Sequence, residues 1–288
     1  MQKSVLACLL ALQSLFGHET FDDPNELIQK IVDANYQKNP EITILQLFDL
    51  CPGFFENVSK EVLQLIQENQ PSYATNPTHN SYWSHPEGTI SQFSLLNVSG
   101  ILSDYSTDHN LSSKNKKFSH GDRYPNLAKF ISLFPDATNF RINILHEKSR
   151  FTQHQEDICV SNQVSNKPAL KLRFHLPILT NKDAVMLMQG EAYHFHPGTI
   201  YFFHNGCIHD GVNISESEPR VHLLWDMLLT KDTFARMFER SISMTSLTKL
   251  NDVSLTPVYH VGIDPDYKKT ARHYSYEEAC QITPCPPQ

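Results

Sequence analysis

The stretch AVMLMQGEAYHFHPGTIYFF, Ala184–Phe203, holds three short runs of apolar and aromatic residues, broken by Gln189-Gly190 and by Pro197-Gly198. Runs of that length between turn-forming residues read as the strands Ala184–Met188, Glu191–His196 and Thr199–Phe203. Working outward, Phe140–Leu145, Leu170–Ile178 and Val221–Leu228 have the same texture. Many short strands split by Pro, Gly and Asn predict a mainly β domain, a sandwich or a barrel.

The flanks read differently. Residues up to Gln70 are expected to be helical. Asp22-Asp23-Pro24-Asn25-Glu26 has an acid at the cap position and Pro just inside, and Leu27, Ile28, Ile31 and Val32 follow at helical spacing. A second helix is expected over Ile42–Leu50, stopped by Cys51-Pro52-Gly53, and a third carries Val62, Leu63, Leu65 and Ile66. Residues 71–125, rich in Ser, Asn, Thr, Tyr and His, read as loops and edge strands around a pocket. Within them Ile90–Val98 is strand-like, and Leu102–His120 is expected to be the most mobile part. Helical character returns at Lys231–Arg240, and Pro257–Gln288 reads as an irregular tail. The expected division is a helical region over 1–70, a β domain over 71–230, and a helix with a tail over 231–288.

Hydrophobic residues make up 40% of the 288 and charged residues 19%, the balance of a chain with a real core. A net charge of -7 argues against nucleic-acid binding, which needs clustered Lys and Arg. The one basic cluster, Lys114, Lys116 and Lys117, reads as a solvated loop. Six cysteines without a C-x-x-C pair support neither a zinc ribbon nor a disulfide framework; Cys280 and Cys285 are either a bridge or two free thiols. The apolar run Val5–Leu12 reads as a helix packed on the domain, with Ser4 as its cap. A signal peptide is the alternative, but the run is short, one Lys precedes it and no A-x-A site follows. A cytoplasmic location is therefore expected. No stretch approaches the ~20 apolar residues of a membrane span.

Fifteen histidines direct attention to metal chemistry. The β region carries His154-Gln155-Glu156, then His209 in His204-Asn205-Gly206-Cys207-Ile208-His209, then Arg220 at the head of an apolar run. Iron(II) that must also bind a cosubstrate and O2 is held by two His and one carboxylate on one face, the opposite positions staying open. An H-x-E step on a strand points both side chains to one side, because side chains alternate with period two. His209 would reach them from another strand. Arg220 offers a planar fork for the far carboxylate of a dicarboxylic cosubstrate. H-x-E alone is a common pair of solvated strand residues; the ordered set is more specific.

The stretch Ile142–Met227 resembles the aspartyl/asparaginyl β-hydroxylase family, which includes free-amino-acid hydroxylases such as proline hydroxylases. Four segments carry the likeness: Ile144-Leu145-His146 continued to His154, Leu172-Arg173-Phe174-His175-Leu176-Pro177-Ile178, Gly190-Glu191 with Pro197-Gly198, and His209-Asp210-Gly211-Val212-Asn213-Ile214-Ser215 ending at Arg220. The resemblance implies a double-stranded β-helix of the jelly-roll, cupin-like kind that uses iron(II), 2-oxoglutarate and O2. It places His154 and His209 on the two iron histidines and Arg220 on the cosubstrate's far carboxylate. Arg173 and His175 fall on supporting cosubstrate contacts, and Asn143 falls where the human-type enzyme of the family has a Ser near the cosubstrate.

There are two departures. Peptide hydroxylases of the family have Gly, and amino-acid hydroxylases Asp, where this chain has Glu156. A carboxylate one methylene longer still suits a third ligand, and it argues against halogenation, which needs that place vacant. The interval from His209 to Arg220 is one residue longer than usual, to be absorbed in the Glu216–Pro219 turn.

The bland readings stand beside these. His194 and His196 read as solvent-facing, His204 as a turn residue and Cys207 as a small buried residue. For Trp83, Gln92 and Ser94, structure and substrate binding are equal expectations. The function expected is a 2-oxoglutarate-dependent hydroxylase acting on an amino-acid-like small molecule, with a peptide or protein side chain as the other substrate class. The alternatives are a cupin-like metal- or ligand-binding protein without turnover, and a zinc hydrolase, which leaves Arg220 and Arg173-x-His175 without a role.

Overall fold

The structure is a computed structural model that describes residues 43–69, 72–73, 90–108, 115–150, 153–162, 167–238, 242, 245–250, 255–265 and 268–269. The expected helix after Asp22, the apolar run Val5–Leu12, Trp83, and the pair Cys280 and Cys285 lie outside those residues.

Three helices are described: α1 (Pro52–Glu68), α2 (Pro125–Ser132) and α3 (Lys231–Met237). The strands are β1 (Ile44–Leu50), β2 (Ser72–Tyr73), β3 (Ile90–Ser94), β4 (Ala137–Leu145), β5 (Ser149–Arg150), β6 (His154–Gln155), β7 (Cys159–Asn162) and β8 (Lys167–Leu179). They continue with β9 (Ala184–Met188), β10 (Glu191–Tyr193), β11 (Thr199–Phe203), β12 (His209–Asn213), β13 (Arg220–Leu228), β14 (Leu247–Lys249), β15 (Tyr259–His260) and β16 (Lys268–Lys269). The larger sheet runs β14-β1-β11-β8-β13-β4-β3-β2, with β7 on β8. The smaller runs β15-β10-β9-β12-β6-β16, with β5 on β12. Pairing is antiparallel throughout, apart from β16 on β6. The mainly β architecture is therefore as expected.

One helix was misread. Ile42–Leu50 is not a helix: Ile44–Leu50 is β1, inserted between β11 and β14 of the larger sheet. A register shift between Gln46 and Phe48 explains the error. It switches the alternation, so Leu45, Leu47, Phe48 and Leu50 all face the main core while Ile44 faces the second cluster, and the buried residues fall at a spacing that imitates a helix. Pro52-Gly53 likewise opens α1, where Pro needs no N–H, and does not close a helix before it. The third expected helix is α1, which buries Val58, Val62 and Leu65. The segment read as an irregular tail also contributes β15 and β16.

The main core lies between these helices and the outer face of the larger sheet. Alternation sends Leu172, Phe174, Leu176 and Ile178 of β8, and Val221, Leu223, Trp225 and Met227 of β13, into that core. Trp225 is its centre, with the Phe134, Phe140, Phe130 and Phe174 rings at centroid distances of 4.6, 5.1, 5.6 and 5.8 Å. The opposite face of the same strands turns Lys171, Arg173 and His175, and Arg220, His222 and Asp226, toward the smaller sheet. Ile44, Tyr201 and Phe203 meet Met186 and Met188 there in a second apolar cluster.

The β9–β10 turn shows how tightly the smaller sheet is specified. Gln189 and Gly190 both have positive φ, 53° and 83°, as a two-residue hairpin turn requires. A Cβ on Gly190 would stand 3.0–3.1 Å from the Gly262 backbone, whose N–H donates to the Gly190 carbonyl. Gly190→Ala is expected to cost about 1–3 kcal/mol, since both the left-handed backbone and the close approach are disfavoured. Urea denaturation measures this, and a cost near zero would show the turn relaxes freely.

Candidate metal centre

β6 and β12 pair with His154 directly opposite His209, which brings two residues remote in sequence side by side in the smaller sheet. Their ring centroids are 4.3 Å apart. Glu156 follows β6, its N–H donating to the Asn205 carbonyl at 2.9 Å. One donor atom from each of His154, Glu156 and His209 lies within 4.8 Å of the others. Glu156 Oε1 is 3.8 Å from His209 Nε2. The structure thus brings the H-x-E pair and the later histidine together.

The protonation states suit ligation. His209 Nδ1 donates to the Cys207 carbonyl at 2.8 Å, which leaves the Nε2 lone pair for a ligand. Burial, then the His154 beside it, pushes the His209 imidazole down to about 3, so it is neutral. Burial alone would raise the Glu156 carboxyl, but the charges of Arg173 and Lys171 hold it well below the usual carboxylate range. A neutral His209 and an ionised Glu156, with His154 beside them, make the kind of donor set that a divalent transition metal prefers.

Glu156 has several partners. Arg173 Nη1 donates to its Oε1, Asn205 Nδ2 donates to Oε2 at 3.0 Å, and Lys171 Nζ lies 3.6 Å from Oε2. Arg173 also donates from Nε and Nη2 to the two oxygens of Asp226, at 2.8 and 3.0 Å. Asp226 is fully buried and accepts from Asn139 Nδ2 at 2.6 Å.

Away from this cluster, the larger sheet carries Arg220, 2% exposed. Its Nη2 donates to Asn143 Oδ1 at 2.8 Å and its Nη1 to Met186 Sδ at 2.7 Å. Burial, partly offset by Asp210, pushes the guanidinium down to about 9. The loop before it is braced by Asn213, whose Nδ2 donates to the Glu218 and His146 carbonyls at 2.8 and 3.1 Å. Ser215 Oγ accepts from the Glu218 N–H at 3.2 Å. His175 and His222 face each other, Nδ1 to Nδ1, at 3.4 Å. One must donate to the other, and the buried Nε2 of each has no hydrogen-bond partner among the described residues.

A family model described as "Aspartyl/Asparaginyl beta-hydroxylase" matches residues 55–229, more than half of the chain. The chain belongs to the aspartyl/asparaginyl β-hydroxylase family. No curated protein matches it by sequence. Among solved structures it is similar to a 2OG-Fe(II) oxygenase family oxidoreductase from Burkholderia pseudomallei, at 12% identity and a TM-score of 0.30, covering 48% of this chain and 65% of that one. It is also similar to a prolyl hydroxylase from Trichoplax adhaerens in complex with a hypoxia inducible factor peptide fragment, at 10% identity, coverages of 71% and 90%, and a TM-score of 0.37. A prolyl-4-hydroxylase from Pseudomonas putida gives 12% identity, coverages of 69% and 100%, and a TM-score of 0.37. The family assignment rests on the family model.

As a member of this β-hydroxylase family, the protein is a 2-oxoglutarate-dependent hydroxylase. The groups implied are iron(II) and the cosubstrates 2-oxoglutarate and O2, and the donor set of His154, Glu156 and His209 fits the ion. Among the described residues no helix is long and apolar enough to cross a membrane.

Other expectations are corrected or refined by position. His196 is exposed, but His194 is only half-buried and stands 5.8 Å from it by ring centroids. Cys207 is buried as expected, and burial pushes its thiol up to about 12. Gln92 and Ser94 of β3 are buried and engaged internally, Gln92 Oε1 accepting from Arg141 and Ser94 Oγ from Asn97. Sequence reasoning passed over Asp226, Asn205, Asn139 and His222. The one available signal was an acidic residue, Asp226, within the apolar run Leu223–Leu228 of β13.

His204 is a turn residue and is buried, with its imidazole pushed down to about 4 by burial. An unfolded His titrates near 6.5, so between about pH 6.5 and 4 the unfolded chain binds a proton that the folded one refuses. Stability is therefore full above pH 6.5 and falls as pH drops through that window, by about 3 kcal/mol for His204 alone. His209, His175 and His222 are depressed in the same direction and add to the loss. Denaturant midpoints of the metal-free protein from pH 8 to 4 should fall, and His204→Gln should flatten the curve. Asp210, whose carboxyl burial pushes up to about 6, works in the opposite direction over the same window, so a His204→Gln curve as steep as the parent's would contradict neutral burial.

Proposed function

We propose that this hydroxylase oxidises a C–H bond of an amino-acid-like small molecule, or of a peptide side chain, with the two sheets forming the layers of a double-stranded β-helix. The overall balance is R–H, 2-oxoglutarate and O2 giving R–OH, succinate and CO2. His154, Glu156 and His209 would hold iron(II), which when bound supplies the oxidation of 2-oxoglutarate and the substrate C–H bond. Arg220 and Asn143 would hold the far carboxylate of 2-oxoglutarate. His175 supplies a neutral ring nitrogen along the same interior face. Burial of His209, Arg220, Asn143 and His175 between the sheets keeps water from them and strengthens each polar contact, while His154 and Glu156 are half-buried. The convergence of the three donor groups between two β layers carries this reading.

The protein loaded anaerobically with iron(II), then given 2-oxoglutarate and air, should form succinate. A panel of free amino acids and short peptides should accelerate it for one class, with a product one oxygen atom heavier. No succinate above the iron-free control, with every member of the panel, would instead leave a metal- or ligand-binding protein without turnover.

A further inference from the structure

The resemblance would set Arg173 on the cosubstrate, but all three guanidinium nitrogens are directed at protein carboxylates. Nε and Nη2 grip Asp226, and Nη1 grips the Glu156 oxygen that lies nearest His209 Nε2. Asp226 is opposite Arg173 in the β8–β13 register, so this pair is built into the larger sheet. Glu156 comes from the smaller sheet. Its extra methylene, compared with Asp, lets its carboxylate serve both Arg173 and the histidine pair.

We propose that Asp226 is a positioning residue for the metal centre that acts through Arg173: its carboxylate neutralises and holds the guanidinium, which would otherwise take the inner oxygen of Glu156 from the ion. The inference rests on the metal reading of His154 and His209. A guanidinium on the inner oxygen of a ligand carboxylate repels a divalent ion and competes for the same lone pairs. Asp226, gripped at both oxygens, is the counter-charge that makes this tolerable. Lys171, 3.6 Å from Glu156 and 3.7 Å from Asp226, adds a further cation on the same side.

The consequence is a pair of opposite signs. Asp226→Asn leaves Arg173 uncompensated beside Glu156, and Mn(II) or Co(II) affinity should fall about 10- to 100-fold, the range for losing an outer partner of a metal ligand. Arg173→Gln frees Glu156 and leaves Asp226 charged, and the same affinity should rise. The neutral double variant Arg173→Gln/Asp226→Asn should bind at least as tightly as the parent, and it stands in for Arg173→Gln if a buried unpaired Asp226 prevents folding. A merely structural role lowers affinity in every variant.

Calorimetric titration of Mn(II) and Co(II) into the folded full-length proteins, with near-ultraviolet circular dichroism to verify packing, separates these outcomes. The visible absorption of the bound Co(II) should also differ between parent and Asp226→Asn. Loss of affinity in the double variant, or equal affinity in all variants, overturns the proposal. His209→Ala serves as the control. Should it bind as the parent does, or the parent not bind, the metal reading has failed and the proposal fails with it; if only the charge variants disappoint, the clamp alone is wrong.

Discussion

His209→Ala should abolish iron(II) binding, and turnover with it, in a protein that still folds cooperatively. The residue sits in the middle of the smaller sheet, paired to His154 on one side and to Met188 on the other. Its Nδ1 bond to the Cys207 carbonyl fixes the ring, so its Nε2 is presented without a search through rotamers. Truncation removes one hydrogen bond, worth about 1 kcal/mol, and some contact with Phe203. The backbone pairing of β12 remains. The effect on the metal is much larger. Glu156 shares its inner oxygen with Arg173, so His154 and Glu156 alone make a poor site. A loss beyond the ~100-fold upper range seen for outer-shell partners is expected. Calorimetric titration of iron(II) under argon, with thermal melts in parallel, reads both halves. Parent-like affinity would remove His209 from the metal.

The sequence was most legible where one physical signal dominated. Ala184–Met188 and Thr199–Phe203 are strands with the bounds their turn residues mark, because Gly190 and Gly198 hold backbone that few other residues adopt. β1 was illegible for an equally physical reason. Its bulge and its two flanking strands bury residues at helical spacing, and nothing local distinguishes that from an amphipathic helix. The same limit governs the site. His154, Glu156 and His209 are brought together by the β6–β12 pairing, and the family pattern pointed to them. Asp226 and Asn205 matter through partners on other strands: Arg173 lies opposite Asp226 in the β8–β13 register, and Asn205 meets Glu156 across the turn before β12. Register decides such partnerships, and no local spacing encodes it. Lys116 shows the cost of reading composition alone. It is not a solvated loop lysine: its Nζ donates to the Asp108 carbonyl, and burial pushes it down to about 8.

Arg220→Ala should weaken 2-oxoglutarate binding by about 2–5 kcal/mol, the cost of truncating one partner of a buried charge pair. That corresponds to roughly 30-fold to several thousand-fold in Kd. The guanidinium stands at the first residue of β13, opposite Leu145, and Asn143 Oδ1 fixes its plane. A guanidinium in water stays charged at any ordinary pH, whereas burial has pushed this one down to about 9. A carboxylate brought beside it would restore what burial takes away, which is the physical reason to expect a dicarboxylate's far end there. Arg220→Lys should recover only part of the loss, because an ammonium cannot reproduce a planar two-point contact. Iron(II) affinity without cosubstrate should hardly change, since Arg220 is not one of the three donors. The absorption band that appears when 2-oxoglutarate chelates iron(II) follows the titration under argon. If the Ala variant titrates like the parent, the far carboxylate is held elsewhere, and the interior face of β13 loses its assignment as the cosubstrate wall.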